Sequence, residues 1–176
     1  PPRSTLFPYT TLFRSESNII FALLTTCRQL LFLAEKYHCV VTNPPYMGNG
    51  NMNNELSAWV KDNYPESKAD LFSCFINRSL NIILKNGYCG LVTMESWMFL
   101  PSFEMIRLEL INNYKIHSLS HFGWHIMRIA FGTVAFITQK SLPNDNFMGI
   151  YSYLEIGDID KERDRPYIFP KKDNNR

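Results

Sequence analysis

Net charge is nearly absent: 18 Lys and Arg stand against 16 Asp and Glu, leaving a formal net charge of +2. So balanced a chain is not a polybasic nucleic-acid binder working mainly through phosphate neutralisation. An enzyme whose basic surface lies in another part of a longer protein stays open. Cysteine is sparse too. Cys27, Cys39, Cys74 and Cys89 form no CxxC pair and keep no regular spacing, which excludes a disulfide scaffold and predicts reduced thiols. No unbroken run of about eighteen apolar residues occurs, so no membrane-spanning segment is expected. The stretch Ile19–Leu24 behind Arg14 imitates a secretion signal, but Thr26 ahead of Cys27 and the Arg28-Gln29 that follows fit a cleavage region poorly. A cytoplasmic protein is the expectation. What is present is ordinary for a folded domain: 176 residues, 45% hydrophobic and 19% charged, long enough for one domain and too short for two.

The amino terminus stands apart from the rest. Arg3-Ser4-Thr5-Leu6-Phe7 and Thr11-Leu12-Phe13-Arg14-Ser15 are near repeats about Pro8-Tyr9-Thr10, without a period that buries one face. This segment resembles a translated sequencing adaptor, so residues 1–15 are set aside as a non-native or disordered leader. From Ser17, Ile20, Leu23, Leu24, Cys27, Leu30, Leu31 and Ala34 recur at helical spacing and predict a helix with one buried face. His38–Thr42 reads as a short buried strand stopped by two prolines. Residues 47–67 form an Asn-rich loop with at most a short helix near Glu55–Lys61. Asp70 opens a helix through Phe72, Phe75, Ile76, Leu80 and Ile83, with Asn86-Gly87 as its stop.

Tyr88–Thr93 is the next strand, and Ser102–Asn113 a helix with Phe103, Ile106, Leu110 and Ile111 on one side. Ile116–Phe122 and Thr133–Thr138 are strands with no helix between them, which favours antiparallel pairing. Ile150–Leu154 reads as a further strand. Asp158–Arg165 alternates charges and reads as solvated, and Pro166 and Pro170 argue against a closing helix. This order predicts a doubly wound α/β sheet.

In such a sheet ligands lie beyond the carboxyl ends of the strands. The strand ending at Thr42 runs there into Asn43-Pro44-Pro45-Tyr46. Two prolines fix their φ angles and lack N–H groups, leaving carbonyl oxygens to face a ligand. The Asn43 side-chain oxygen and the Pro44 carbonyl can each accept one hydrogen of a planar amino group. Tyr46 offers a flat face on which a heteroaromatic ring can stack. A chance match to these four residues has odds on the order of one in a thousand, so a plain Pro-Pro turn is the weaker reading.

The tetrapeptide resembles the amino-group methyltransferases that use S-adenosylmethionine, whose motif runs Asn/Asp/Ser-Pro-Pro-Tyr/Phe/Trp. The Asn-Pro-Pro-Tyr form is similar to their N6-adenine DNA branch. Asn43-Pro44-Pro45-Tyr46-Met47-Gly48, Lys68-Ala69-Asp70-Leu71-Phe72, Trp97-Met98-Phe99, Ser102-Phe103-Glu104, Arg107 and Ile116–Leu119 occur in that order. Together they resemble the adenine-specific methyltransferases of phage-defence BREX systems, the PglX family. The resemblance implies a partial Rossmann-like doubly wound sheet of the class I methyltransferase type, lacking the N-terminal cofactor-binding strands. Its catalytic domain would occupy residues 16–140, and residues 141–176 would begin a following segment.

The same resemblance implies that Asn43-Pro44-Pro45-Tyr46 is the catalytic motif. Asn43 and Pro44 would grip a flipped adenine amino group, Tyr46 would stack on the ring, and either Phe122 or Trp124 would close its other face. Asp70 and Phe72 would lie near S-adenosyl-L-methionine, the implied cofactor. Double-stranded DNA is the implied partner, with other phage-defence proteins beside it and no metal.

The family's Gly-rich cofactor loop lies upstream of its Asn-Pro-Pro-Tyr motif, yet no glycine precedes Gly48 here. A downstream target-recognition region is missing as well. The expectation is therefore a piece of a catalytic domain, inactive by itself. Two rival readings are a protein-glutamine N-methyltransferase, because the same motif can grip an amide nitrogen, and a non-catalytic fold fragment. His117, His121 and His125 have the spacing of helical metal ligands, but their surroundings read as a strand and a loop.

Overall fold

The computed structural model describes residues 9–126, 129–163 and 165–168. Residues 1–8 of the expected leader and Pro170 lie outside the described residues. The chain divides into two compact units, Pro1–Glu35 and Lys36–Arg176.

Among its described residues the first unit holds one helix, α1 (Tyr9–Ala34), which begins earlier than the periodicity from Ser17 predicts. The expected buried face is corrected: Ile20, Leu23, Leu24, Cys27, Leu30, Leu31 and Ala34 are all exposed. Ile19, Phe21, Phe32 and Leu33 fall between them, so apolar residues surround the helix rather than forming a stripe. Spacing defines a face; only a packed neighbour buries it. Ser17–Ala34 is also long and apolar enough by composition to cross a membrane, with a mean hydropathy of 1.4. The expectation of no such segment counted unbroken runs, which Thr25, Thr26, Arg28 and Gln29 interrupt. A signal sequence or a core helix passes the same test. The Thr25 and Thr26 hydroxyls donate to the carbonyls of Phe21 and Ala22, which lets two polar residues sit in so apolar a helix.

The second unit is built on a five-stranded sheet. Its strands are β1 (Tyr37–Thr42), β2 (Ile83–Met94), β3 (Lys115–Phe122), β4 (Thr133–Gln139) and β5 (Ile150–Leu154), and the spatial order is β1-β2-β4-β3-β5. β1 runs parallel to β2 and β3 parallel to β5, while β4 runs antiparallel to both β2 and β3. The antiparallel pairing expected for β3 and β4 is present. One consequence governs the site: the carboxyl ends of β1, β2, β3 and β5 share one sheet edge with the start of β4. β1 is an edge strand of this sheet, with His38, Cys39 and Val41 exposed, so the expected buried strand is corrected. A short ribbon of β6 (Ile159–Asp160) and β7 (Arg165–Pro166) follows.

Among the described residues three α-helices accompany the sheet: α2 (Asn54–Asn63), α3 (Leu71–Ile82) and α4 (Glu104–Asn113). Phe72, Ile76 and Leu80 line one face of α3 at intervals of four and pack with Cys89 and Leu91 of β2 and Val134 and Phe136 of β4. Trp97, Phe103, Ile106 and Leu110 complete the same core. Two residues expected on these faces lie off them, Phe75 (38% exposed) and Ile111 (61% exposed), because each is one residue out of step with its buried stripe.

α3 ends at Ile82, not at Asn86-Gly87. That dipeptide instead makes a bulge inside β2, where the pairing jumps from Tyr37–Ile83 to Cys39–Tyr88. Asn86 takes the left-handed conformation (φ 65°). Gly87 is needed for space, since a Cβ there would meet the His38 carbonyl oxygen at 2.9 Å. All four cysteines are free, as expected. Burial pushes the Cys89 thiol up to about 12, and burial together with the nearby Asp70 charge pushes Cys74 up to about 11, so both stay protonated and inert.

Candidate active site

β1 delivers the Asn43–Tyr46 corner to the carboxyl edge of the sheet, where Thr42 pairs with Leu91. Pro44 is buried, Asn43 and Pro45 are exposed, and Tyr46 is half-buried. The Tyr46 hydroxyl lies 3.1 Å from Asn43 Oδ1 and 3.3 Å from the Val92 carbonyl oxygen, and it donates its one proton between them. This ties the first and last residues of the tetrapeptide together and anchors both to β2. Asn43 Oδ1 keeps a second lone pair for another donor. Burial raises the Tyr46 phenol above its ordinary value, so it remains a donor across the neutral range.

Two other aromatic rings fix the plane of Tyr46. Phe72 stands at 6.1 Å and 90° to it, and Phe131 at 5.7 Å and 73°. Phe72 itself is fully buried and leans on Phe103 at 5.3 Å. Phe72, expected near a cofactor, stands here with its ring wholly enclosed. It supports Tyr46 from the core.

Asp70 caps α3 and straps the corner in place. Its Oδ1 accepts from the Phe72 backbone N–H at 3.1 Å and from that of Met47 at 3.0 Å. Leu71 N donates to the Met47 carbonyl (2.9 Å) and Asn49 N to that of Ala69 (3.0 Å), so residues 47–49 run zipped against 69–71. Asp70→Ala is expected to lower stability by about 1–2 kcal/mol, whereas Asp70→Asn, an equally good cap, stays within about 0.5 kcal/mol. Urea unfolding of both variants checks this. Equal losses would mean that the carboxylate charge, rather than its hydrogen bonds, holds the strap.

The resemblance-bearing segment after β2 has a structural explanation too. Arg107 Nη1 donates to the carbonyls of Trp97 (2.8 Å) and Leu100 (2.6 Å), and Trp97 Nε1 donates to Thr93 Oγ1 at 3.0 Å. Of the two expected base-closing aromatics, Phe122 packs with Ile126, Leu154 and Ile159 at the end of β3, while Trp124 is 62% exposed in the following turn. The three histidines go separate ways. His117 pairs with Gln139 (3.0 Å), His121 meets the Glu95 carboxylate, and His125 occupies a turn at φ 66°. Among the described residues no group of three His, Cys, Asp or Glu side chains converges.

Glu95 and Phe131 lie outside the sequence expectations, and His121 enters them only by its spacing from His117 and His125. Glu95 follows the carboxyl end of β2 as Asn43 follows that of β1, and this shared position was the one signal in the sequence that pointed to it.

Comparison with known proteins gives a family and a fold. The profile of the Eco57I restriction-modification methylase family matches residues 9–126. The adenine-specific methyltransferase BrxX of Escherichia coli O9:H4 (strain HS) is 37% identical over 124 residues, covering 70% of this chain and 10% of that protein. The adenine-specific methyltransferase PglX of Lacticaseibacillus casei (strain Zhang) is 35% identical over 140 residues, 77% of this chain and 12% of the relative. The chain thus spans about a tenth of the length of these curated relatives. In fold it is similar to a Listeria monocytogenes structure described as a class I S-adenosylmethionine-dependent methyltransferase. The TM-score is 0.51 at 12% identity, over 69% of this chain and 38% of that one.

Proposed function

The chain belongs to the Eco57I restriction-modification methylase family, and from that premise we propose that it grips the acceptor base in an N6-adenine DNA methyltransferase. One observation carries the reading. Asn43-Pro44-Pro45-Tyr46 stands at the carboxyl edge of a mixed sheet of the methyltransferase type, with the Tyr46 hydroxyl bound to Asn43 Oδ1 at 3.1 Å. In this reading Asn43 Oδ1 and the Pro44 carbonyl each accept one N–H of the adenine amine. Both acceptors polarise the amine N–H bonds, leaving more electron density on the nitrogen whose lone pair attacks. Tyr46 forms the platform under the ring. Trp124 closes the other face in preference to Phe122, which is engaged in its own apolar cluster. The base has to leave the duplex, because its amine cannot be approached in line while stacked.

S-adenosylmethionine is the proposed methyl donor, with the Asp70–Phe72 start of α3 proposed to lie near it. Asp70 Oδ1 accepts two backbone N–H groups, and Phe72 is enclosed. The chain's main proposed contribution is to the acceptor: binding it, orienting it and polarising its amine. Double-stranded DNA is the proposed partner, and a restriction-modification or phage-defence system in the cytoplasm is the proposed setting.

The test is transfer of a labelled methyl group by the full-length protein to unmethylated bacterial genomic DNA. Label recovered as N6-methyladenine is the expected result. Label on protein glutamine, or none on DNA, would sink the reading.

A further inference from the structure

We propose that Glu95 and His121 act as a positioning pair that sets the tilt of the Tyr46 ring through Gly132 and Phe131. The inference rests on the reading of Tyr46 as the platform for the base. Glu95 follows the last residue of β2, and His121 is the last but one of β3. β4 lies between those strands, so the two side chains meet across its first residues. The Glu95 carboxylate contacts His121 Nε2, and the two side chains are 15% and 25% exposed. A carboxylate so enclosed keeps its place only with a partner. His121 is steadied in turn by the Tyr153 ring on β5, centroids 4.8 Å apart, where the two residues are register partners.

Glu95 also clasps the start of β4. Its backbone N–H donates to the Gly132 carbonyl at 3.1 Å. Its carboxylate lies over the Gly132 α-carbon so closely that a Cβ there would collide with Oε2. The adjacent residue is Phe131, one of the two rings that fix the plane of Tyr46, at 5.7 Å. One peptide unit therefore joins the clasp to the platform. The other supporting ring, Phe72, is held by the core, so Phe131 is the adjustable wall. A displacement of about 1 Å there is enough to misalign a stacked base for in-line attack.

The test measures kcat and KM for methyl transfer to unmethylated genomic DNA by the full-length protein and its variants. Glu95→Ala is expected to lower kcat about 10- to 100-fold, with KM for DNA changing less than about threefold. Glu95→Gln, which can hydrogen-bond His121 in either tautomer, is expected to stay within about threefold of the unsubstituted protein. Phe131→Ala should match Glu95→Ala, and the double variant should be no worse than the poorer single one, because both break the same link. Gly132→Ala, which pushes the carboxylate off the clasp, should behave as Glu95→Ala does. It also carries the comparison if Glu95→Ala fails to fold.

Losses that multiply in the double variant, or unchanged kcat in Glu95→Ala, would overturn the pair while leaving the platform reading intact. An unsubstituted protein that transfers no methyl to adenine would overturn both.

Discussion

Asn43→Ala is expected to remove nearly all N6-adenine methylation by the full-length protein, with kcat falling about 10²- to 10³-fold. The size follows from what the substitution deletes. A fixed acceptor aimed at the reacting amine acts on charge redistribution in the transition state, where one lost hydrogen bond has its largest effect. Folding should barely notice the change. Asn43 is exposed at the end of an edge strand, and the Tyr46 hydroxyl keeps the Val92 carbonyl at 3.3 Å as its alternative acceptor. A stability change within about 0.5 kcal/mol is therefore expected. DNA binding should persist, since phosphate contacts dominate affinity and Asn43 carries no charge. Asn43→Asp keeps an acceptor at the same place and should retain part of the activity. Quantifying N6-methyladenine by mass spectrometry, alongside a melting curve, separates these outcomes. A folded Asn43→Ala protein with ordinary activity would remove Asn43 from the site.

What could be read in advance was local. Asn43-Pro44-Pro45-Tyr46 announces itself because a β-branched run ends at two residues that fix the backbone. Asp70 likewise marks a helix start by its side chain, and the structure adds only that the same oxygen straps Met47. The pieces that escaped prediction depend on which strand lies beside which. Glu95, His121 and Gly132 are far apart in the sequence and meet because β4 inserts between β2 and β3. No hydrophobic period reports that order. Asn86-Gly87 escaped for a different reason: leaving a helix and bulging a strand use the same residues, so the local signal is shared. Burial was the least legible property. Val41 and the apolar residues of α1 carry the composition of a core, yet they are exposed, because spacing says nothing of what covers a face.

The largest stability effect is expected from Phe72→Ala, about 3–5 kcal/mol in urea unfolding. Phe72 is fully buried on the core face of α3, in the same cluster as Ile76, Leu91, Phe103 and Phe136. Deleting its ring removes packing on every side and leaves a cavity that the rigid sheet beneath cannot close. Phe75 is the internal control: same helix, same residue type, but 38% exposed, so Phe75→Ala should cost roughly 1 kcal/mol. Trp97 is 4% exposed in that core, which makes tryptophan fluorescence a direct reporter of its loss. Phe72→Leu refills most of the volume and should recover at least about half of the lost stability.

Stability and activity should nevertheless part company in the Phe72→Leu protein. Leucine fills space but cannot stand edge-on to Tyr46, so a folded Phe72→Leu protein should still show reduced methyl transfer with KM for DNA little altered. Stability recovered together with full activity would show that Tyr46 needs a packed floor and not an aromatic one. Equal losses for Phe72→Ala and Phe75→Ala would contradict the face of α3 that supports the platform.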